Sequence, residues 1–141
     1  MKILFPTDGS PSSLAAFAAL IEHRSWFRDE AELSVLHVHA AIPYKRAAAW
    51  VGKDVIDQYH EEESEAALAD ARKLVAERGV AATFEKRVGD PAQEIVGVAE
   101  RGGFTLIAMA THGHSALVNL VMGSVATKVL AASKVPVLFV K

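Results

Sequence analysis

The chain has 141 residues, no cysteine, and 15 Lys and Arg side chains against 17 Asp and Glu, which gives a formal charge of −2. This length is typical of one domain. A hydrophobic content of 51% with 23% charged residues indicates a globular protein rather than a disordered or fibrous one. The lack of cysteine excludes disulfides, zinc–thiolate sites and cysteine nucleophiles. The near-neutral charge gives no electrostatic basis for binding nucleic acid or an anionic membrane surface.

Charged residues interrupt every apolar stretch before it reaches the ~18 residues that a membrane-spanning helix requires. The start, Met1 to Pro6, has one positive charge and a short apolar run before the proline. A secretory signal needs an apolar region of about 7–15 residues. We therefore expect a cytoplasmic protein with no membrane partner.

Hydrophobic periodicity divides the chain into alternating strands and helices. Short apolar runs rich in β-branched residues predict buried strands, and apolar residues three to four positions apart predict helices. Gly79 and the Gly102–Gly103 pair mark helix ends, and Pro91 marks a first helical turn. The predicted elements, in chain order, are strand 3–5, a helix around 14–21 capped by Ser12 or Ser13, strand 33–39, helix 54–78, strand 83–88, helix 91–101, strand 104–110, helix 124–132 and strand 135–140.

This order predicts the fold class. Strands that alternate with helices pair in parallel through right-handed crossovers. The apolar strands at 3–5, 33–38, 104–110 and 135–140 suit a sheet covered by helices on both faces. We therefore predict a single domain, residues 1–141, built on an open five-stranded parallel α/β sheet.

Such sheets bind ligands at the carboxyl ends of their strands, and the residues there are unusual in this chain. Pro6-Thr7-Asp8-Gly9-Ser10 follows the first strand, and Thr111-His112-Gly113-His114-Ser115 follows the fourth. Gly123-Ser124 then begins a helix, whose unpaired N–H groups and dipole favour a phosphate. A turn glycine and an ordinary serine N-cap would explain the same residues without a ligand.

Here the chain resembles a known family, the ATP-binding universal stress proteins. Their nucleotide motif is Gly-x-x-Gly, nine residues, then Gly-Ser or Gly-Thr; this chain has Ala110-Thr111-His112-Gly113, nine residues, Gly123-Ser124. The resemblance extends in order through the segments 2–10, 36–38, 88–91 and 134–140. It implies a Rossmann-like fold of the adenine nucleotide alpha hydrolase type. It also implies a cytoplasmic homodimer of the stress response that binds ATP, or ADP or AMP, and a protein partner that the sequence does not identify.

The resemblance also implies roles for individual residues. The backbone of Val38 would bind the adenine edge, and the carboxylate of Asp8 would reach the ribose. The phosphates would hold Mg²⁺, for which Asp8 is the one evident carboxylate. The residues carried over are Pro6, Thr7, Asp8 and Val38 for the adenosine, Met109, Ala110 and Gly113 for the ribose–phosphate floor, and His114, Ser115, Gly123, Ser124 and Val125 for the phosphates.

Two positions depart from the family motif. Ala110 stands at the first glycine, and its methyl group is harmless only if the backbone there is extended. If Ala110 impairs the site, the alternative is a nucleotide-independent dimerisation module. His114 stands where many family members have a basic residue. A nearby triphosphate would favour the protonated imidazole, so we expect phosphate binding to weaken as the pH rises.

The sequence contains few residues or motifs that are typical of an enzyme active site. The chain has no Gly-x-x-x-x-Gly-Lys-Ser/Thr phosphate loop, no Gly-x-Gly-x-x-Gly turn and no Gly-x-Ser-x-Gly nucleophile elbow. Ser124 with His114 as its base would allow slow ATP hydrolysis or autophosphorylation. Serine at a helix start is more often a cap or a phosphate ligand, so a binding role is favoured over an enzyme.

Two His-x-His pairs, His37 with His39 and His112 with His114, are candidate metal ligands. Residues i and i+2 of a strand point to the same face, so each pair could supply two ligands. A tetrahedral site normally needs more, and Asp8 is the only evident third ligand. We therefore predict no metal site made by the protein alone.

The last strand bears on assembly. Residues 135–140 are apolar on both faces, and such a strand at a sheet edge is prone to aggregation unless it is covered. Pairing with its copy across a two-fold axis would cover it, and the family resemblance implies such a homodimer.

Overall fold

A computed structural model describes residues 1–27, 31–41, 52–112 and 122–141. Its strands and helices alternate as predicted, with one short 3₁₀ turn after the first helix. The elements are β1 (Lys2–Thr7), α1 (Pro11–Glu22), β2 (Glu32–Ala40), α2 (Lys53–Glu77), β3 (Thr83–Gly89), α3 (Pro91–Arg101), β4 (Leu106–Ala110), α4 (Ser124–Ala132) and β5 (Val137–Val140).

The strands form one five-stranded sheet in the order β3-β2-β1-β4-β5. Every neighbouring pair is parallel, which confirms the predicted fold class. Ile3 lies in the middle, opposite Leu33 of β2 on one side and Leu106 of β4 on the other. The strand order reverses between β1 and β4, so the exits of these two strands meet where open α/β sheets bind ligands.

Helices cover both faces of the sheet. Phe5 and Leu4 are consecutive in β1 and therefore point to opposite faces. Phe5 packs with α1 and α2, and its ring centroid lies 4.7 Å from that of Phe17 in α1. Leu4 packs with α3 and α4 around Ile95 and Val129. The two buried layers cover the faces of the sheet and leave its carboxyl edge uncovered for a site.

The strand bounds differ from the prediction by two residues at three ends and by one residue at four others. β1 continues through Pro6 and Thr7, because the extended chain accepts the fixed φ of proline and Pro6 stays in register with Leu36. β4 and β5 each begin two residues later than predicted, at Leu106 and Val137. Pro136, just before β5, has no N–H to donate to a ladder.

The longest described helix, α2, has 25 residues. Its outer face is charged and exposed. None of the helices in the described ranges is both long and apolar enough to cross a bilayer.

Candidate functional site

The turn after β1 fixes the carboxylate of Asp8. Ser10 donates two hydrogen bonds to Asp8 Oδ1, from its backbone N at 3.0 Å and from its Oγ at 2.6 Å. The same Ser10 Oγ accepts the N–H of Ser13 at 3.2 Å and so caps α1. The N-cap is therefore Ser10 and not Ser12 or Ser13 as predicted. One serine both starts the helix and orients the acid.

Further hydroxyl groups tie this turn to its surroundings. Thr7 Oγ1 accepts the Oγ–H of Ser13 at 2.9 Å and the N–H of Gly9 at 3.1 Å. Ser12 Oγ donates to the carbonyl of His112 at 3.2 Å. These bonds connect the start of α1 to the exits of β1 and β4, which are the two strand ends that flank the switch in strand order.

The exit of β4 is joined directly to the start of α4. Gly123 N–H donates to the carbonyl of Thr111 at 2.8 Å, and Gly123 is the N-cap of the helix. Ser124 is the first helical residue, is exposed, and makes no capping hydrogen bond. Ser124 is therefore not the ordinary serine N-cap that was the alternative to a ligand site.

The Gly123 N–H is also not available to a phosphate, contrary to the expectation that it is unpaired. Thr127 N–H is the first of α4 to bond within the helix, to Gly123 O at 2.9 Å. The N–H groups of residues 124–126 consequently lack partners within the helix and carry the positive end of its dipole.

A cavity of about 240 Å³ opens between these elements. Its inner wall is apolar and includes the buried side chains of Leu36, Ile95 and Met109. Polar groups of Asp8 and Ser124 lie in its lining as well. A mostly apolar hollow with a few oriented polar groups is typical of a small-molecule site. The full lining is Pro6, Thr7, Asp8, Ser13, Leu36, Val38, Pro91, Ile95, Met109, Ala110, Thr111, His112, Gly123, Ser124, Val125 and Ala126.

The structure brings together every predicted site residue that it describes. Nine of them line the cavity: Pro6, Thr7, Asp8, Val38, Met109, Ala110, Gly123, Ser124 and Val125. Gly113, His114 and Ser115 lie outside the described residues. Ala110 is the last residue of β4, in register with Val140. Its backbone is therefore extended, and an alanine is tolerated there without strain.

Several lining residues were not predicted. Thr111 and His112 stand inside the glycine motif, where the sequence already indicated a strand exit, and could have been included. Pro91 and Ile95 come from α3, and Leu36 from β2. In the sequence these apolar residues have the same periodicity as core positions, so only the packing of α3 across the sheet identifies them.

Two larger hollows, of about 670 and 470 Å³, lie at the opposite, amino ends of the strands. The larger one is open and has both acidic and basic residues in its lining, such as Glu85 and Arg87, which pair with each other. Ligands of parallel sheets bind at the carboxyl ends. The cavity of about 240 Å³ at the exits of β1 and β4 is therefore the candidate site.

The electrostatics beside the cavity involve one buried histidine. His37 Nδ1–H donates to the carbonyl of Thr7 at 2.9 Å. Burial lowers the pKa of its imidazole below the ordinary 6.5, although the Thr7 carbonyl and Asp8 oppose that shift. Within the described ranges, no three His, Asp or Glu side chains converge as metal ligands.

We expect Ser10→Ala to weaken both folding and ligand binding. Loss of an N-cap lowers the free energy of unfolding by about 1 kcal/mol, and the Asp8 carboxylate also loses a hydrogen bond that orients it. Urea unfolding and AMP titration of the variant measure the two effects. Ser133→Ala is the control, because Ser133 also makes two hydrogen bonds, with Val135, at the far end of α4. Unchanged AMP affinity in Ser10→Ala would contradict the orienting role.

Solved structures with the same fold include protein MJ0577, which is 29% identical to this chain with a TM-score of 0.80, covering 99% of this chain and 94% of that one. A universal stress protein solved in complex with cAMP is 24% identical with a TM-score of 0.71, covering 100% and 97%. Identity at this second level establishes a shared fold.

Sequence comparison gives the family directly. A universal stress protein from Methanocaldococcus jannaschii, MJ0531, is 36% identical over 140 residues, which are 99% of this chain and 81% of that protein. The model of the universal stress protein family matches residues 1–141. With a family match over its whole length and a five-stranded parallel sheet like that of the solved members, this chain belongs to the universal stress protein family.

Proposed function

We propose that this protein binds an adenine nucleotide, ATP in the first instance, at the cavity between the exits of β1 and β4. The observation that carries the proposal is the convergence on one cavity of residues suited to each part of the nucleotide. Universal stress proteins of the same fold include one solved with cAMP. The protein acts in this proposal as a regulatory module that responds to nucleotide.

Each part of the nucleotide has its own contacts. The adenine lies in the apolar interior, where Val38 offers backbone groups just beyond His37, the last β2 residue that pairs with β1. Asp8, oriented by Ser10, accepts hydrogen bonds from the ribose hydroxyls. The phosphates meet the start of α4, where the N–H groups of residues 124–126 supply donors and a favourable dipole. Gly113, His114 and Ser115 complete the phosphate side, and Mg²⁺ is held by the phosphates themselves.

A thermal-shift series with ATP, ADP and AMP tests binding. Ligand at 100 times its dissociation constant adds about 2.7 kcal/mol to the free energy of unfolding. We expect stabilisation by all three nucleotides and none by GTP, because the hydrogen-bond donors and acceptors on the edge of guanine are arranged differently from those of adenine. No stabilisation by millimolar ATP would refute the proposal. Mass spectrometry of the natively purified protein shows whether nucleotide is already bound.

Slow ATP hydrolysis or autophosphorylation is a second candidate, favoured by one observation. The Ser124 hydroxyl is exposed at the cavity and is not occupied in capping α4. If Ser124 is the nucleophile, Ser124→Ala abolishes phosphate release while ATP binding is retained. Phosphate release that survives in this variant would exclude that role.

We also propose that the protein is a homodimer through β5. This strand is at the edge of the sheet, and all four of its residues remain partly exposed. Ile107 N–H donates to Pro136 O, and backbone groups alternate sides along a strand. Val137 and Phe139 therefore direct their backbone N–H and C=O to the open edge, where a second copy can pair.

Sedimentation analysis is expected to give twice the monomer mass for the wild type. Phe139→Pro removes one outward N–H and should shift the equilibrium to monomer, whereas Val88→Ala, an exposed change on the β3 edge, should not. A wild-type protein that is monomeric at high micromolar concentration would contradict the β5 dimer.

A further inference from the structure

The imidazole of His37 connects β2 to the end of β1. The ladder between these two strands ends at the pair Thr7 and His37, whereas β2 stays paired with β3 as far as Ala40. His37 Nδ1–H donates to the carbonyl oxygen of Thr7 at 2.9 Å. A side chain therefore satisfies the last carbonyl of β1 at the point where the ladder between the two strands ends.

The carbonyl oxygen decides which nitrogen of the His37 ring carries the hydrogen. A carbonyl oxygen only accepts hydrogen bonds, so Nδ1 is the donor. The side chain is only 7% exposed, and burial lowers the pKa of the imidazole below the ordinary 6.5, although the bond to Thr7 opposes that shift. At neutral pH the neutral ring therefore predominates, with its one hydrogen on Nδ1.

The carbonyl that His37 binds belongs to the peptide group between Thr7 and Asp8. This group is planar, so a hydrogen bond to its oxygen also fixes the direction in which the chain enters Asp8. On the other side of Asp8, the N–H of Gly9 donates to Thr7 Oγ1 at 3.1 Å. Ser10 holds the carboxylate oxygen through two hydrogen bonds. His37 therefore fixes the backbone of the acid, and Ser10 fixes its side chain.

His37 lies next to the cavity in sequence but does not line it. Leu36 and Val38 are both in the cavity lining. Consecutive residues of a strand point to opposite faces, so His37 lies on the other face, together with Val35, which packs with α1 and α2. We therefore expect His37 to act on a ligand through the turn that it holds and not by direct contact.

His39 is the second histidine on this face of β2, and it makes different contacts. Its Nδ1 donates to the carbonyl of Ala40 at 2.9 Å and lies 2.9 Å from Nδ1 of His60 in α2. Neither of these two partners belongs to the turn after β1. His39 is therefore a matched control for His37, because it is the same residue type on the same face of the same strand.

We propose that His37 is a positioning residue for the sugar of the nucleotide: its Nδ1–H holds the Thr7–Asp8 peptide group so that the Asp8 carboxylate meets the ribose hydroxyls. The contact with the sugar rests on the proposed function, whereas the effect on the turn does not. Thr7 is only 9% exposed, and a buried carbonyl that loses its donor is costly. Without the imidazole we therefore expect the peptide group to rotate toward another donor and to carry Asp8 with it.

The test measures the affinities of AMP and 2′,3′-dideoxy-AMP by calorimetry in the wild type, His37→Leu, His37→Asn and His39→Leu. Leucine is close to histidine in size but has no donor. The amide nitrogen of asparagine is bonded to Cγ, as Nδ1 is, and can donate to the same carbonyl. We expect the preference for AMP to fall by about tenfold in His37→Leu and to be unchanged in His37→Asn and His39→Leu. An unchanged preference in His37→Leu, or an equal loss in His37→Asn, would overturn the proposal.

Hydrogen exchange without nucleotide separates the positioning role from the proposed function. The backbone N–H groups of Gly9 and Ser10 donate within the turn, so their exchange rates report its local opening. These rates should rise in His37→Leu and stay at the wild-type level in His39→Leu. If AMP does not bind but the rates differ in this way, the proposed function fails and the effect of His37 on the turn is supported. If AMP binds and the rates are equal in all proteins, the positioning role fails.

A measurement on the wild type covers the case in which His37→Leu does not fold. Nitrogen NMR signals of an imidazole distinguish the ring nitrogen that carries a hydrogen from the one that does not. For the neutral ring of His37 we expect the hydrogen on Nδ1 and none on Nε2. A hydrogen on Nε2 alone would mean that Nδ1 does not donate to Thr7, and would overturn the proposal.

Discussion

Gly9→Ala is expected to destabilise the protein by about 2–5 kcal/mol and to weaken nucleotide binding at the same time. Gly9 has a φ of +75°, and alanine pays about 1–2 kcal/mol in that left-handed region. Its new methyl group would also lie 2.8 Å from the Cα of Ala67, a backbone atom that cannot rotate away. Relief requires α2 or the turn to shift, which typically costs a further 1–3 kcal/mol.

Gly79→Ala separates the cost of the left-handed backbone from the cost of the contact with Ala67. Gly79 has a similar φ of +61°, but a methyl group there meets nothing within 4 Å. We expect this variant to lose only the backbone component and to bind nucleotide as the wild type does. Urea unfolding gives the free energies, and ATP titration gives the affinities. Equal destabilisation by the two substitutions would mean that the Gly9–Ala67 contact yields easily and does not constrain the turn.

Asp8→Ala is expected to reduce ATP affinity by about 10- to 150-fold, since a hydrogen bond to a charged group contributes about 1.5–3 kcal/mol. The carboxylate lines the cavity and is oriented by Ser10. Asp70→Ala, an exposed acid on the outer face of α2, is the matched control for charge. It should leave the affinity unchanged.

Nucleotides that differ only in the hydroxyl groups of the sugar test the role of Asp8 more specifically. If Asp8 binds the ribose hydroxyls, the wild type prefers ATP to 2′,3′-dideoxy-ATP, and Asp8→Ala binds the two equally. A preference that survives in the variant would place the sugar contact elsewhere. Circular dichroism and the unfolding midpoint confirm that the variant is folded, because Asp8 also accepts the bonds that order the turn.

The order of elements and the location of the candidate site could be predicted from local patterns. Apolar runs and helix-stop glycines such as Gly79 depend on neighbours in sequence, so they identify strands and helices. Because parallel sheets bind ligands at strand exits, the same patterns predicted a site at Asp8 and Gly123. The choice of Ser10 over Ser12 as the cap did not follow, because three nearby serines offer the same hydroxyl and only backbone geometry decides between them.

Contacts between segments that are distant along the chain could not be predicted from the sequence. His39 and His60 are 21 residues apart, and their meeting depends on how α2 crosses β2. The two His-x-His pairs suggested ligands within one strand, whereas the third histidine came from a helix with a polar pattern. The same applies to Ile95, which lines the cavity only because α3 lies across the sheet.

The hydrogen bond between Thr111 and Gly123 has a consequence for protein engineering. This bond connects the two ends of the segment that follows β4. The entropy cost of closing that segment is therefore the same with or without a ligand in the cavity. Closure entropy grows slowly, by about 0.6 kcal/mol for each doubling of length. Segments of different length can therefore be exchanged between His112 and Met122 at a closure cost that changes little with length. Such an exchange leaves the Asp8 side of the cavity unchanged and removes Gly113, His114 and Ser115, so it separates their proposed contribution to nucleotide affinity from that of the cavity lining.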